Sequence, residues 1–247
     1  MPHVPTLILG IENSNPDKGP GGFHGGVALA QRDAEGLRPI AMERLAPASE
    51  RDDDVMSAIA RLFARAGRSP TELGEIAVSV GPGGFTGLRI ACVTAKALAE
   101  VTGSRCVGVP TTAALRCRFG ARGRWVCVLL AWKHETVWCA RFDPGGASAG
   151  SACVKFGEIF EGLPPGAPAA VIADPRLAGV LRERGVIAEG TVVESPRFDA
   201  LAVIEAGEGL APTDPLALVP IYPREPEAVT KWRVLHPEGR GDGGTER

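Results

Sequence analysis

The most informative stretch of the sequence is a glycine-rich segment that reads Gly81-Pro82-Gly83-Gly84-Phe85-Thr86-Gly87-Leu88-Arg89. It follows an apolar run, Ile76 to Val80, that is typical of a buried strand, and it precedes a helical pattern from Thr86 to Val101. Glycines between a strand and a helix let the backbone approach a ligand closely, and the first free N–H groups of the helix point at that ligand. The segment is therefore a candidate site for an anion or a ribose, built from Gly81, Gly83, Gly84 and Thr86.

The spacing of this segment leaves a second interpretation open. No Lys-Ser/Thr follows the last glycine, as a P-loop requires, and Thr86 occupies the place of the third glycine of G-x-G-x-x-G. The segment can instead be a tight turn from strand to helix in which Thr86 is the N-cap. Both interpretations place a strand before the segment and a helix after it.

The pattern on either side of the segment alternates between strands and helices. The first series consists of strands at Thr6 to Ile11, Gly25 to Ala30 and Arg38 to Leu45, a helix at Arg51 to Ala66, the strand and helix that flank the glycines, a strand at Arg105 to Val109 and a helix at Thr111 to Phe119. The second series consists of strands at Trp125 to Ala131, at Thr136 to Phe142 and near Cys153, a short helix near Glu158, a strand at Ala169 to Ala173 and a helix around Leu177 to Arg184.

The second series repeats the first in outline. A repeated βββαβα pattern predicts an α/β fold with two similar lobes, each a mixed sheet with helices packed on it. We assign residues 1–120 to the first lobe and residues 121–235 to a second, smaller lobe. Residues 236–247 have too few apolar side chains to be anchored and are predicted to be a disordered tail.

Composition restricts the classes of function. Lys and Arg number 27 against 29 Asp and Glu, which gives a formal net charge of -2, and no basic block is present, so direct binding of nucleic acid is disfavoured. The six cysteines form no C-x-x-C pair, and no charged-then-apolar leader precedes Thr6. The longest apolar runs are far shorter than the roughly 20 residues of a membrane helix. We expect a cytoplasmic protein with no membrane contact.

The chain offers few groups for catalysis. Its histidines are His3, His24, His134 and His236, and no two of them stand one helical turn apart, the spacing with which a helix presents two metal ligands. No G-x-S-x-G nucleophile elbow is present either. We therefore predict neither a catalytic residue nor a metal site.

The helix after the glycines carries a row of small residues. Gly87, Ala91, Ala95 and Ala99 recur at intervals of four, with Leu88 and Leu98 beside them. Such a row lets another helix approach to near 8 Å, the short end of the usual range of interhelical distances. The row can face this chain's own sheet, but the helix is apolar nearly all round, which favours burial on two sides.

The sequence of this segment and of the helix after it also resembles that of a known family. Gly81 to Arg89, followed by Thr94-Ala95-Lys96 and Leu98, closely resembles the GPGSFTGLR…TAKGLA block of the bacterial TsaB (YeaZ) proteins, and Pro220 to Arg224 with Ala228 and Trp232 fits that family's order. The resemblance covers nearly the whole chain. It implies the actin-like, hexokinase-like ATPase fold, with duplicated βββαβα lobes.

The resemblance also implies a role in a complex. TsaB proteins are non-catalytic subunits that pair with the metal- and ATP-binding TsaD subunit. With the TsaE ATPase they help to move a threonylcarbamoyl group onto the adenosine beside the anticodon of ANN-decoding tRNAs. The family pairs, with TsaD or with a second copy, through the helix after the glycines and the preceding one, which adds Val55 and Ile59 to the predicted interface. Contact with tRNA is then made only through the complex.

The chain departs from the family's pattern at its phosphate-facing acids. Where TsaB proteins usually keep an Asp-Thr-Ser-Thr-like sequence in the first hairpin, this chain reads Glu12-Asn13-Ser14-Asn15, and the second Asp of the family aligns with Ala131. A methyl group cannot coordinate Mg²⁺ or its waters. We therefore expect a pseudo-enzyme that requires no cofactor and binds ATP or ADP weakly at most, through the Gly81 to Gly87 backbone and Glu12.

Two rival functions remain open. A free-standing kinase or hydrolase of the same fold would need phosphate-facing carboxylates, for which Glu12 is the one candidate. A direct tRNA binder is opposed by the net charge of -2. A partner subunit needs an exposed apolar helix face.

Overall fold

The computed structural model describes residues 5–15, 25–45, 54–120, 123–167, 169–224, 229, 232, 233, 235 and 236. The strands are β1 (Thr6–Glu12), β2 (Gly26–Asp33), β3 (Gly36–Arg44), β4 (Leu73–Gly81), β5 (Arg105–Pro110), β6 (Trp125–Lys133), β7 (Thr136–Phe142), β8 (Ser148–Lys155), β9 (Ala169–Ile172) and β10 (Val192–Glu194). The helices are α1 (Val55–Ala66), α2 (Phe85–Thr102), α3 (Thr111–Cys117), α4 (Pro175–Glu183) and α5 (Ala200–Ala206), with short 3₁₀ turns at Pro70–Glu72 and Phe156–Glu158.

The strands form two five-stranded sheets of the same topology. The first sheet has the order β3-β2-β1-β4-β5, and the second has the matching order β8-β7-β6-β9-β10. In each sheet the first three strands are antiparallel, and the last two run parallel to the central strand. This repetition confirms the predicted α/β fold with two similar lobes.

Strand β1 is buried on both faces, because helices cover both sides of the first sheet. Side chains alternate along a strand, so Leu7, Leu9 and Ile11 pack in one cluster with α1 and α2. Ile8 points to the other face and packs in a separate cluster with α5. The second sheet is likewise covered by α4 on one face and by α3 on the other.

The two lobes exchange their covering helices. Leu115 and Phe119, in and just after α3, lie in the core of the second sheet, whereas Ala200 to Ile204 of α5 lie in the core of the first. The chain after α5 also returns to the first sheet, where Thr213 N donates to Cys106 O at 2.8 Å and Ile221 N to Val80 O at 2.7 Å. The last part of the predicted second lobe is therefore packed on the first sheet.

Several predicted elements differ from the structure. The predicted short helix near Glu158 is a single 3₁₀ turn, Phe156–Glu158. Strand β10 and helix α5 were not predicted. Some predictions lie outside the described residues, among them the start of the first helix at residues 51–53 and the tail at 237–247.

Among the residues that the structure describes, no helix is both long enough and apolar enough to cross a lipid bilayer.

Candidate functional site

The glycines of the segment after β4 make room for the chain that leaves β1. A Cβ atom at Gly83 would lie 2.3 Å from the carbonyl oxygen of Ser14, and one at Gly87 would lie 2.2 Å from that of Asn13. Gly84 N donates to Ser14 O at 2.6 Å, and Asn13 Nδ2 donates to Gly87 O at 3.1 Å. The glycines are needed to join two parts of the fold, whatever ligand lies nearby.

The helix begins one residue earlier than expected. Gly84 is the N-cap, with extended backbone, and Phe85 is the first helical residue. Thr86 is an exposed residue of the first turn. The interpretation of Thr86 as the N-cap was therefore wrong.

A cleft of about 430 Å³ opens between the segment and the second lobe. Such a volume is within the range of small-molecule sites, roughly 300 to 1,000 Å³. Its lining from the first lobe is Ser14, Asn15, Pro82, Gly83 and Gly84, and its lining from the second is Leu129, Leu130, Ala131, Trp132, Asp174, Leu177, Pro196 and Phe198. Of the predicted nucleotide-binding residues, Gly83 and Gly84 thus face the cleft, whereas Gly81, Thr86 and Glu12 are not part of its lining.

Glu12 lies beneath the cleft, with 1% of its surface exposed. Its Oε1 accepts a hydrogen bond from Ser14 N at 2.6 Å, and its Oε2 is buried without a partner among the described residues. Burial raises the pKa of Glu12 above its ordinary value; interactions with Ser14 and Ser79 offset part of this, and the charge of Asp199 adds to it. Glu12 is buried and does not line the cleft, so it does not face a ligand bound there, and its role in nucleotide binding stays a prediction.

The charge of the cleft also fits a nucleotide poorly. Its acid is Asp174, the N-cap of α4, whose Oδ1 accepts from Arg176 N at 2.8 Å. Ala131, at the position where the TsaB resemblance predicts an acid, has a φ of 51°. Its carbonyl oxygen accepts a hydrogen bond from Arg224 Nη1 at 2.5 Å. No Lys or Arg of the described residues lines the cleft. Among the described residues that line the cleft, no positively charged side chain could balance a triphosphate.

The remaining candidates for chemistry are dispersed. The described residues contain no group of three or more His, Cys, Asp or Glu side chains placed to hold a metal ion. Cys92 is buried in α2, and burial raises the pKa of its thiol to about 11, which keeps it neutral and unreactive near pH 7.

The row of small residues on α2 faces this chain's own sheet. Leu88, Ala91, Ala95 and Ala99 are buried, and the last three belong to the core between α1, α2 and the first sheet. Gly87 is in contact with Asn13, Leu98 packs against the same core, and Val55 and Ile59 of α1 are buried within it. The predicted partner interface is therefore wrong for Leu88, Ala91, Ala95, Ala99, Val55 and Ile59, whose side chains are buried within this chain. Gly87 and Leu98 are partly exposed, and their part in an interface stays a prediction.

The opposite side of α2 carries the exposed apolar residues. Phe85, Val93 and Val101 are 52%, 63% and 84% exposed, and Arg89 and Ala97 between them are also exposed. These five residues, which we call the outer stripe, again recur at intervals of four. They lie two positions from the small-residue row, and two residues correspond to about 200° around an α-helix. The sequence contains the pattern that identifies this stripe, since apolar residues occur on nearly every side of the helix.

Aromatic contacts order the start of the outer stripe. The rings of Phe85 and Tyr222 have centroids 5.2 Å apart, and the guanidinium carbon of Arg89 lies 5.0 Å from the Phe85 centroid. Tyr222 is itself 42% exposed. The first residue of the stripe, Phe85, therefore packs against Tyr222 of the C-terminal segment.

Comparison with known proteins gives one family match. The model of TsaD, described as tRNA N6-adenosine threonylcarbamoyltransferase, matches residues 48–178, more than half of the chain. An uncharacterized protein of Mycobacterium leprae is 30% identical over 157 residues, which are 64% of this chain and 40% of that protein. The chain thus spans less than half the length of the curated relative that it matches.

Two solved structures share the fold. The crystal structure of an uncharacterized protein "with similarity to peptidase YEAZ from Pseudomonas aeruginosa" has a TM-score of 0.67 and 15% identity, over 89% of this chain and 100% of the other. YeaZ from Pseudomonas aeruginosa has a TM-score of 0.61 and 17% identity, over 88% and 99% of the two chains. The predicted fold, an actin-like arrangement of two lobes, is confirmed.

Proposed function

This chain belongs to the TsaD family, the family described as tRNA N6-adenosine threonylcarbamoyltransferase, and from that membership we propose that it is a non-catalytic subunit of a complex that carries out this tRNA modification. Its role is to bind and support a TsaD-like catalytic subunit, which works with a TsaE-like ATPase. The complex transfers a threonylcarbamoyl group to the adenosine beside the anticodon of ANN-decoding tRNAs. The chain reaches tRNA through the complex.

The observation that carries this proposal is the outer stripe of α2. Three of its five residues are large apolar side chains that are more than half exposed on one helix face. Apolar side chains aligned on one face in this way mark a surface that another protein covers. The stripe is also continuous with the exposed ring of Tyr222, which extends it beyond the helix.

Two further observations favour a supporting role over a catalytic one. The catalytic relatives bind their metal with two histidines one helical turn apart, and this sequence has no such pair. The cleft between the lobes has Ala131 in place of the family's acid and a buried Glu12 below its lining. A free-standing kinase or hydrolase would need acidic groups that face a metal-bound phosphate, so this rival is not favoured.

The proposal is tested by substitution within the outer stripe. Val93→Arg and Val101→Arg place a charge on the exposed face of α2 without touching the core, and binding to a TsaD-like subunit should weaken on the order of a hundredfold. Leu216→Arg is the matched control, because Leu216 is 86% exposed in a loop outside α2. Binding is measured by titration calorimetry, with circular dichroism to verify the fold. If the stripe variants bind as tightly as the parent chain, the interface lies elsewhere.

The same chain should show little activity when it is alone. We expect no steady ATP hydrolysis and no stoichiometric metal after purification, and tRNA affinity no better than the nonspecific range of about 10⁻⁴ to 10⁻⁶ M at physiological salt. The outer stripe can pair with a second copy when no catalytic subunit is present, which sedimentation measures. ATP turnover that Glu12→Ala abolishes would instead support the kinase or hydrolase.

A further inference from the structure

A second cavity, separate from the cleft, lies on α3. It has a volume of about 530 Å³. Its lining is Ala113, Arg116, Cys117 and Phe119 from α3 and the residues after it, Phe142 at the end of β7, Pro144, Gly145 and Gly146 from the turn that follows, and Ala206 at the end of α5. None of these residues lines the cleft between the lobes or belongs to the outer stripe. The proposed function therefore leaves this cavity unexplained.

The cavity contains the guanidinium group of Arg116. Arg116 Nε is buried and makes no hydrogen bond among the described residues. A Cβ atom at Gly146 would lie 3.8 Å from Arg116 Nη2, so the side chain reaches from α3 to the turn between β7 and β8. A buried donor that is left unsatisfied costs about 1 to 3 kcal/mol, and more for a charged group, which favours a ligand that accepts from it.

The acidic side chains near the cavity already have hydrogen-bond or ion-pair partners, two of them with Arg118. Arg118 Nε lies 2.9 Å from Asp199 Oδ2, and its Nη1 lies 2.9 Å from Glu205 Oε2. Asp143 Oδ1, beside the cavity, accepts from Ala147 N at 2.9 Å within its own turn. These carboxylates are engaged, so Arg116 has positive charge to offer to a molecule from outside the chain.

The walls of the cavity indicate the kind of molecule. Phe119, Phe142, Pro144 and the alanines provide apolar surface, and a single guanidinium group provides the charge. A planar guanidinium matches a carboxylate with two parallel hydrogen bonds. A phosphate dianion would be left half neutralised, with the carboxylate of Glu205 close enough to act on the neighbouring Cys117. We propose that this cavity binds a small molecule that joins one carboxylate to an apolar body, with Arg116 as its anchor.

Cys117 provides a probe inside the cavity, because its thiol is exposed on the wall beside Arg116. Iodoacetate and iodoacetamide alkylate a thiolate by the same step, in which the S–C bond forms, the C–I bond breaks and iodide leaves. They differ in charge and in intrinsic reactivity, and comparison with a second cysteine cancels the difference in intrinsic reactivity. Cys153, exposed on β8 of the same chain, is the internal reference. The rates at both sites are measured by mass spectrometry of peptides at mildly alkaline pH, since burial raises the pKa of Cys117.

The expected result is a preference for the anionic reagent at Cys117. The ratio of the iodoacetate rate to the iodoacetamide rate should exceed that at Cys153 by about tenfold, because the guanidinium group of Arg116 lies beside the thiol and attracts the anionic reagent. Arg116→Gln should reduce this preference to the value at Cys153, Arg116→Lys should retain part of it, and the control Arg176→Gln, on the exposed start of α4, should leave it unchanged. An equal ratio at the two cysteines in the parent chain would overturn the proposal.

Protection of Cys117 tests the ligand class without any variant. Benzoate should slow alkylation of Cys117 by iodoacetamide and leave Cys153 unaffected, whereas benzamide, its uncharged analogue, should protect neither. Stronger protection by phenyl phosphate than by benzoate would overturn the choice of a carboxylate, and equal protection by benzamide would overturn the role of Arg116. Because Arg116 Nε has no hydrogen-bond partner among the described residues, Arg116→Gln should not lower the melting temperature in the absence of ligand.

Discussion

Two glycines that lie inside helices differ in whether the fold has room for a side chain at their position. Gly87 and Gly179 both lie inside helices, where alanine is favoured over glycine by about 1 kcal/mol. A Cβ atom at Gly179 meets nothing within 4 Å, but one at Gly87 would lie 2.2 Å from the carbonyl oxygen of Asn13. We expect Gly179→Ala to stabilise the protein by about 0.5 to 1 kcal/mol and Gly87→Ala to destabilise it by about 2 kcal/mol or more. Urea unfolding measures both, and a stabilising Gly87→Ala would contradict the close contact.

Glu12 predicts a pH dependence of stability. Burial raises its pKa in the folded state above the ordinary value of 4.5, so its contribution to stability is complete below that value and is lost as pH rises through the folded pKa. Glu12→Gln keeps an oxygen for Ser14 N but does not ionise. The melting temperature of Glu12→Gln relative to the parent chain should therefore increase from about pH 5 to about pH 8. The exposed Glu35→Gln is the control, and parallel pH profiles for Glu12→Gln and the parent would contradict the burial of a carboxyl group.

Among the helices and strands, the periodicity of the apolar pattern decided what could be predicted, and length alone did not, because α3 has only seven residues and was also predicted. Helices α1, α2 and α4 have faces that repeat over nine or more residues, and the sequence located each of them to within a few residues. Helix α5 has seven residues, and its run Ala200 to Ile204 is buried throughout. A short apolar run of this kind has no periodicity that distinguishes a helix from a strand. Its position on the first sheet depends on the packing of the whole chain.

The site was harder to predict than the fold, for a related reason. The sequence located α2 and identified it as apolar nearly all round, but both of its faces repeat at intervals of four. Only the neighbouring sheet decides which face is covered. Similarly, the spacing of the glycines could not distinguish contact with a ligand from contact with Asn13 and Ser14, since both require a missing Cβ.

The two faces of α2 can be distinguished by one pair of substitutions. Ala95 is fully buried and Val93 is 63% exposed. Ala95→Arg forces a charge into the core between α2 and the sheet, and should cost at least about 3 kcal/mol or prevent folding. Val93→Arg should change the stability by less than about 0.5 kcal/mol. Chemical unfolding followed by circular dichroism checks both. A well-folded Ala95→Arg chain would contradict the burial of the small-residue row against the sheet.

At the scale of the molecule, the exchange of helices makes each lobe dependent on the other. Helix α5 covers Ile8, Ala28 and Ala77 of the first sheet, and α3 extends into the core of the second. Without α5, one face of β1 would be exposed to water along its apolar side chains. A boundary at residue 120 therefore separates the strands of the two sheets but not their cores, and the two halves should unfold as one unit.

This unity can be measured because the tryptophans Trp125, Trp132, Trp138 and Trp232 all lie in the second half of the chain. Their fluorescence reports on the second half, whereas circular dichroism reports on both. Ile8→Ala, in β1 beneath α5, should lower the free energy of unfolding by about 2 to 5 kcal/mol. It should shift the urea midpoints of fluorescence and of circular dichroism equally, although no tryptophan lies in the first half. Leu181→Ala, in the core of the second sheet, is the mirror control and should also shift both midpoints together. If Ile8→Ala left the fluorescence transition in place while dichroism showed an earlier step, the lobes would be separate units and the contact of α5 with β1 would contribute little to their coupling.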